Sequence, residues 1–569
     1  MAHGMLAVCL TAAAGTMSAA PPDFAHDVAP IVYQHCVSCH HPGGMGPFSL
    51  ASYADLYKRA SQIASVTRRR FMPPWLPEEG YGDFAGENRL TDSQIRTIAE
   101  WAAAGAPEGP QVQIPTPPQF SEGWQLGPPD LVLEAKDSLT VPASGPDIFW
   151  NFPFTPKLTG PRYVRAVEIR PGNPRVVHHS NLMVDRGGSA HRAAAAGSSG
   201  FPGMDLTVVR SPFDPDGNFL FWKPGAPPHE EAPGFSWRLL PGDAFVLNTH
   251  LHPSGKPEAV HPQVGIYFTD TPPSHFPLLV QLEHDGALRI PAGRHDFVVT
   301  DDLPLPMDAD VLAVYPHAHY LGTLLEAYAT LPDGSRRWLI RIPHWDFNWQ
   351  AVYYYREPLS LPKGTVISMR FHFDNSAENV RNPNQPPREV VGGDQSTDEM
   401  GHLWLELLPH GAGDRRLELQ QAVMQHRLQK YPNDFAANLN LGALALARLN
   451  PAVAVPLLAN AVRLDPWRPD AHDMLGAALA RVGRVAEAVA ELRTALKERP
   501  DFANARLNLA NALLHAGQFD EAVEDYREVL AEAPDDESTR AAVEAGARQL
   551  EYRGRTQDAE ELLQALEKR

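Results

Sequence analysis

Cysteine is nearly absent: the chain has three in 569 residues, at positions 9, 36 and 39. Two of the three fall in one short motif. No disulfide framework is left for the other domains, which must be held by packing. Basic residues are also in deficit, 49 Lys and Arg against 68 Asp and Glu, for a formal net charge of -19. A surface of that sign repels phosphate backbones and anionic lipid heads, which argues against nucleic acid as a partner. No run of about 18 apolar residues follows the N-terminus, so no membrane span is expected. Lys and Arg are missing altogether before Lys58. Residues 5–20 nonetheless carry the apolar and small residues of a signal peptide, expected over 1–20 without its basic leader. Cys9 belongs to that segment, and Val8 before it is too bulky for a lipoprotein cleavage box.

What is present divides by texture. At about 150 residues per domain, the length allows three or four domains, and 43% hydrophobic residues can supply their cores. Residues 22–108 mix helical patterns with a Gly/Pro loop; Asp92 to Ala104 reads as a helix behind Thr91, with Ile95, Ile98 and Trp101 on its apolar face. Residues 109–129 are rich in Pro and Gln and read as a linker. From 130 to 412, short alternating runs such as Tyr163-Val-Arg-Ala-Val-Glu-Ile are broken by Pro and Gly, the pattern of antiparallel β-sandwiches. The stretch is long for one sandwich, so two in tandem are predicted, 130–277 and 278–412.

Residues 415–569 are helical and periodic. Pro432, Pro466, Pro500 and Pro534 recur every 34 residues. Leu441, Leu475 and Leu509 share one column of that repeat, Gly442, Gly476 and Ala510 the next, and Ala454, Ala488 and Ala522 a third. This is the tetratricopeptide period, two stacked helices per repeat, whose concave face binds protein partners. A solubilising or dimer-forming appendage is the plainer alternative. Pro456 departs from the pattern and threatens the second helix of the first repeat.

Cys36-Val-Ser-Cys39-His40 is a Cys-x-x-Cys-His sequence. Its two thiols can add to haem vinyl groups, and its imidazole then ligates the iron, giving a covalently bound c-type haem. A zinc pair would need a second Cys pair, and a redox dithiol does not need the adjacent His. Met72, in Arg70-Phe-Met-Pro-Pro-Trp75, is the preferred sixth ligand, with Met45 as alternative. Cys-Val-Ser-Cys-His-His-Pro-Gly-Gly and Met-Pro-Pro-Trp resemble small cytochrome c domains fused to bacterial enzymes. Covalent haem attachment generally takes place outside the cytoplasm, so a periplasmic or otherwise exported protein is expected.

The β region holds close-spaced histidines: His178-His179, His250-Leu-His252, His317-Ala-His319, and then Met400 in Asp398-Glu-Met-Gly-His402. Residues two apart on a strand share a face, so His317 and His319 can grip one metal. Adjacent His178 and His179 can do so only where the strand bulges or ends. His250 or His252 would add a third imidazole. Imidazoles suit several metals, and a thioether selects reduced copper. Single histidines elsewhere, such as His261, His284, His372 and His410, read as ordinary paired polar groups.

The order of these segments resembles the copper type II ascorbate-dependent monooxygenases, the relatives of peptidylglycine α-hydroxylating monooxygenase and dopamine β-hydroxylase. Val176-Val-His-His-Ser180, Phe245-Val-Leu-Asn-Thr-His-Leu-His252, Tyr315-Pro-His-Ala-His-Tyr-Leu-Gly322 and Ser396-Thr-Asp-Glu-Met400 carry it. The resemblance implies two successive sandwiches, each with one copper. It assigns His178, His179 and His250 to an electron-transfer copper, and His317, His319 and Met400 to the copper that handles oxygen and substrate. It implies hydroxylation of a C–H bond of a small organic or peptide-like substrate with O2 and electrons from an external donor, here through the fused haem. Tyr315 stands where the peptide enzyme has its carboxylate-binding Arg, and His402 and Trp404 replace its Asn and Tyr. A substrate ending in glycine is therefore not implied. The alternative is a non-catalytic copper and haem electron-transfer protein with a partner-binding repeat module.

Overall fold

The computed structural model describes residues 20–120, 123–186, 199–203, 214–215, 217–225, 227–532 and 537–567. The expected signal peptide, except its residue 20, and Pro534 of the repeat column lie outside them. The chain has several parts: a small helical segment, a strand-rich region of several antiparallel sheets, and a helical repeat array.

The N-terminal segment places Ala29–His35, Tyr53–Tyr57, Ala60–Arg68 and Asp92–Ala103 around one core. Asp92–Ala103 begins where expected. Thr91 and Gln94 form a reciprocal capping box, satisfying backbone donors that the first turn leaves free. Ile98 and Trp101 are fully buried against Phe24, Val28 and Val32.

Residues 131–269 form two sheets over a shared core. One runs Leu131–Glu134, Gln263–Thr269, Arg162–Arg170 and His229–Glu230, with Trp237–Leu239 also on Arg162–Arg170. The other runs Phe201–Pro202, Ile148–Phe154, Ala244–Leu251, Val177–Asp185 and Phe221–Trp222. Alternation decides what faces what. On Ala244–Leu251, Phe245, Leu247 and Leu251 enter the core. Val246, Asn248 and His250 therefore lie on the opposite face, yet they too are buried. The expected linker is shorter than 109–129. Trp124 packs beside Gly265, and the Gln125 amide donates to the Glu168 carboxylate at 2.8 Å, so the chain joins this unit before residue 130.

Residues 278–409 form a second pair of sheets. Leu278–Glu283, Gly401–Pro409, Ala309–Ala318 and Tyr353–Leu361 make one; Phe297–Pro304, Val366–Phe373, Gly322–Thr330 and Arg336–Ile342 make the other. Val280, Val311, Leu405, Leu325, Ile340 and Phe371 meet between them. Each such fully buried side chain contributes about 1.5–3 kcal/mol, which suits a region without disulfides. The N-terminal segment docks here: Trp75 and Phe84 join this core, and Ala85 donates to the Tyr354 carbonyl at 2.8 Å.

The repeats follow as helix pairs. Phe435–Ala447 and Pro451–Leu464 are succeeded by Pro469–Arg481 and Val485–Glu498, then Ala503–Ala516 and Phe519–Glu532, then Glu537–Tyr552 and Thr556–Glu567. The Gly column marks closest approach: a Cβ on Gly442 would lie 2.6 Å from Leu458, and one on Gly476 2.5 Å from Leu492. Pro456 does not break Pro451–Leu464. Ala454, Leu458 and Ala461 are fully buried along that helix, and this packing outweighs the lost backbone bond. A preceding helix, Arg416–Lys430, fixes the array to the second sandwich through Arg427–Glu283 at 2.7 Å and Lys430–Asp301 at 2.5 Å. Among the described residues, no helix is long and apolar enough to cross a membrane.

Candidate metal centre

His178 and His179 stand on Val177–Asp185, beside His250 on Ala244–Leu251. His250 pairs with His179, and Leu251 with Val177, so the register slips past His178. This is the bulge that two adjacent histidines need to turn toward one point. His178, His179 and His250 each offer a ligand atom within 4.8 Å of the others. Their rings lie 5.0–5.2 Å apart, centre to centre.

The hydrogen bonds decide which nitrogens are free. A carboxylate only accepts. His250 Nε2 therefore donates to Asp147 Oδ2 at 3.1 Å, and His252 Nδ1 donates to Asp147 Oδ1 at 2.6 Å. His250 Nδ1 is left buried with no partner. The Nδ1 atoms of His178 and His179 lie 3.1 Å apart. Burial and the neighbouring imidazoles lower all three pKa values, that of His178 to about 3, so the rings are neutral near pH 7. Buried nitrogens converging as lone pairs make a poor hydrogen-bonding site and a good cation site. Asp147 was missed in the sequence. It also forms a second close group with His250 and His252, and its position 103 residues from His250 gave no local signal.

The second group lies on the neighbouring sandwich. His317 is near the end of Ala309–Ala318, His319 follows it, and Met400 precedes Gly401–Pro409. The two strands pair with His317 opposite His402 and Ala318 opposite Gly401, which sets Met400 beside the His-x-His turn. His317 Nδ1 donates to Gln350 Oε1 at 2.6 Å, and His319 Nδ1 donates to the Asp398 carbonyl at 3.2 Å. Each ring keeps Nε2 as its free donor atom. Burial drives the pKa of His317 well down and that of His319 to about 4. Met400 is buried at 6% exposure.

Glu399 braces this turn. Its carboxylate accepts from the backbone N–H groups of His319, of Leu321 at 2.9 Å and of Met400 at 2.8 Å. Burial pushes its pKa up to about 8 against the pull of those donors. Glu399 stood inside the Asp-Glu-Met segment but drew no attention, because its work is done on backbone across 80 residues.

The two groups face each other. The Phe347 ring lies 5.1 Å from His178, 6.5 Å from His250, 6.3 Å from His317 and 5.5 Å from His319. Gln350 Nε2 is 3.5 Å from His179 Nδ1, while Oε1 of the same amide accepts from His317. The other histidines read as ordinary polar groups pair elsewhere: His261 with Glu134, His284 with the Thr300 carbonyl, His372 with Asp296, His410 with Asp310.

The Cys motif lies at the end of Ala29–His35. Cys36 and Cys39 are both free thiols. Burial, with Cys39 nearby, raises the Cys36 pKa to about 12. His40 Nδ1 donates to the Phe48 carbonyl at 3.0 Å, which fixes the ring and leaves Nε2 free. Free thiols three residues apart and an oriented imidazole fit covalent haem. Gly225, on the first sandwich, approaches Cys39 so closely that a Cβ there would lie 2.5 Å from Sγ. Met45 packs against the core of that sandwich. Met72 is half-buried in a loop whose Phe71 meets Trp349 edge-on at 6.1 Å, at the end of the turn that carries Phe347.

Among known families, the tetratricopeptide repeat matches residues 474–537. This supports a C-terminal repeat region. No curated protein matches the chain. A crystal structure of MamA is similar at 21% identity over 26% of this chain and 86% of its own, with a TM-score of 0.24. YrrB, a TPR protein with an unusual peptide-binding site, is similar at 20% identity over 26% of this chain and 76% of its own, also with a TM-score of 0.24.

Proposed function

We propose that the chain is an exported copper monooxygenase that hydroxylates a C–H bond of an organic substrate with O2, and that its N-terminal segment is a cytochrome c domain feeding electrons to the copper sites. One observation carries this reading. Five histidines from two sandwiches are held neutral, and three of them by partners that leave one nitrogen bare: Nδ1 of His250 and Nε2 of His317 and His319.

His178, His179 and His250 would hold one copper; His317, His319 and Met400 would hold the other. Bound there, copper would supply one-electron storage at the first site and oxygen activation at the second. The chain's own groups do the positioning. Asp147 orients His250, Gln350 orients His317, and the Asp398 carbonyl orients His319. Glu399 fixes the backbone on both sides of the second site. Phe347 packs against rings of both groups, 5.1 Å from His178 and 5.5 Å from His319. Cys36, Cys39 and His40 would hold the haem, with Met72 as sixth ligand, and the Phe71–Trp349 contact brings its domain against the shared turn.

Metal analysis with an optical spectrum tests the assignment. One haem and two coppers per chain are expected, with oxygen uptake under a reductant. Two zincs, or no second metal, overturn it. Full copper and haem loading with no oxygen uptake across a broad substrate screen would favour the non-catalytic electron carrier instead.

A further inference from the structure

The cavity between the two sandwiches deepens this reading by naming what enters it. Its volume is about 660 Å³, and His179, His317 and Met400 all stand in its wall. That size suits a small organic molecule rather than a folded partner. Phe219, Phe221, Phe235, Trp237, Tyr315 and Trp404 line much of the remainder. Phe221 lies 5.2 Å from the Tyr315 ring and 5.6 Å from His179, so the aromatic surface runs up to the candidate metal ligands.

Charge in this wall is mostly paired, although Arg186 Nε is buried without an acceptor. Arg186 pairs with Asp243 at 2.7 Å and Asp214 at 3.1 Å. Arg416 pairs with Asp414 at 2.6 Å and Asp214 at 3.1 Å, and Arg238 reaches Asp214 at 3.6 Å. A carboxylate entering here would have to break a pair that is largely withdrawn from water, and an ammonium would meet aspartates already held by arginines. Either would be stripped of water without a new counter-charge, which is costly. Uncharged polar groups also line it: Asn181 faces Asn248 across paired strands, and Asn248 Nδ2 donates to Asn151 Oδ1 at 2.9 Å.

We propose that this cavity is the substrate chamber and that it takes a neutral aromatic molecule, excluding carboxylates and amines. The assignment of a substrate rests on the monooxygenase reading; the binding preference does not.

Three probes with one ring system test it: 2-naphthylacetamide, 2-naphthylacetate and 2-(2-naphthyl)ethylamine. Calorimetric titration into the full chain, with and without chelator treatment, reads their affinities. The amide should bind saturably, and the acid and amine should bind at least about tenfold more weakly. Asn181→Trp should fill the chamber and abolish amide binding. Phe221→Leu should weaken it by about tenfold through lost ring contact; thermal melting confirms that each variant is folded, and Phe221→Leu decides the matter if Asn181→Trp is not. No saturable amide binding, acid or amine affinity equal to that of the amide, or a folded variant with unchanged affinity each overturns the proposal. The chelated protein carries this measurement, so absence of oxygen uptake by the copper-loaded protein bears on the monooxygenase reading alone.

Discussion

His179 and His317 belong to different sandwiches but share the amide of Gln350, whose Nε2 lies 3.5 Å from one ring and whose Oε1 accepts from the other at 2.6 Å. The same Oε1 accepts from the Tyr315 hydroxyl at 2.6 Å. Gln350→Leu keeps the volume and removes all of this. Two buried donors then lack an acceptor, at about 1–3 kcal/mol each. Copper affinity should fall about 10–100-fold, since an unanchored imidazole is a poorer ligand. Chelator competition and thermal melting measure both effects. A variant with wild-type copper affinity would show that the amide only fills space.

Met400→Ile separates chemistry from packing. Its backbone N–H still reaches Glu399, and the apolar volume is nearly kept, so stability should change by less than about 1.5 kcal/mol. The thioether is gone, so reduced copper loses its soft ligand at His317 and His319. Oxygen uptake should vanish while copper at His178, His179 and His250 persists. Undiminished uptake would remove Met400 from the site.

The sequence made the local chemistry legible and hid the long-range supports. The 34-residue period was readable because each repeat folds on its neighbours, and Gly442 and Gly476 indeed mark helix contacts. The need for a bulge at His178-His179 followed from strand geometry alone, and the slip at Leu251 supplies it. Asp147 and Gln350 were illegible for a different reason. Each is a common polar residue in an unremarkable stretch, and only tertiary pairing sets it against histidines more than 30 residues away. The early end of the linker was hidden likewise: Trp124 finds its place on Gly265 and Arg170, both distant in sequence.

Asp147→Asn tests the ligand geometry of the three-His group. Asp147 accepts from both His250 and His252, and those bonds, against the cost of burial, hold its carboxyl well below the ordinary range. An amide can accept through one oxygen only, so one histidine loses its anchor. Copper affinity at this group should fall about 10–100-fold, and the His317, His319 and Met400 group should be unaffected. Equal weakening of both groups would mean that the variant has disturbed the interface, not the ligand.

The joint between repeats and sandwich should depend on pH in one direction. Burial raises the pKa of Asp301, but hydrogen bonds from His426 at 2.9 Å and Lys430 at 2.5 Å outweigh it and leave the pKa below its usual value. A carboxyl that is more acidic when folded stabilises above its unfolded pKa of about 3.9 and loses that contribution as pH falls through the folded value. At pH 7 the contribution is full. Asp301→Asn leaves the buried Lys430 with only the Glu283 carboxylate, at 4.0 Å, and should cost about 1–3 kcal/mol there. Below about pH 4 the unfolded chain takes up the proton that the folded carboxyl still resists, so the gap between the two proteins should narrow as pH falls toward the lowered folded value. Melting curves across this range measure it, with a proteolytic cut near Gly413 reporting release of the repeats. A gap that stays constant down to pH 3 would mean that shape, not charge, holds helix Arg416–Lys430 to the sheet.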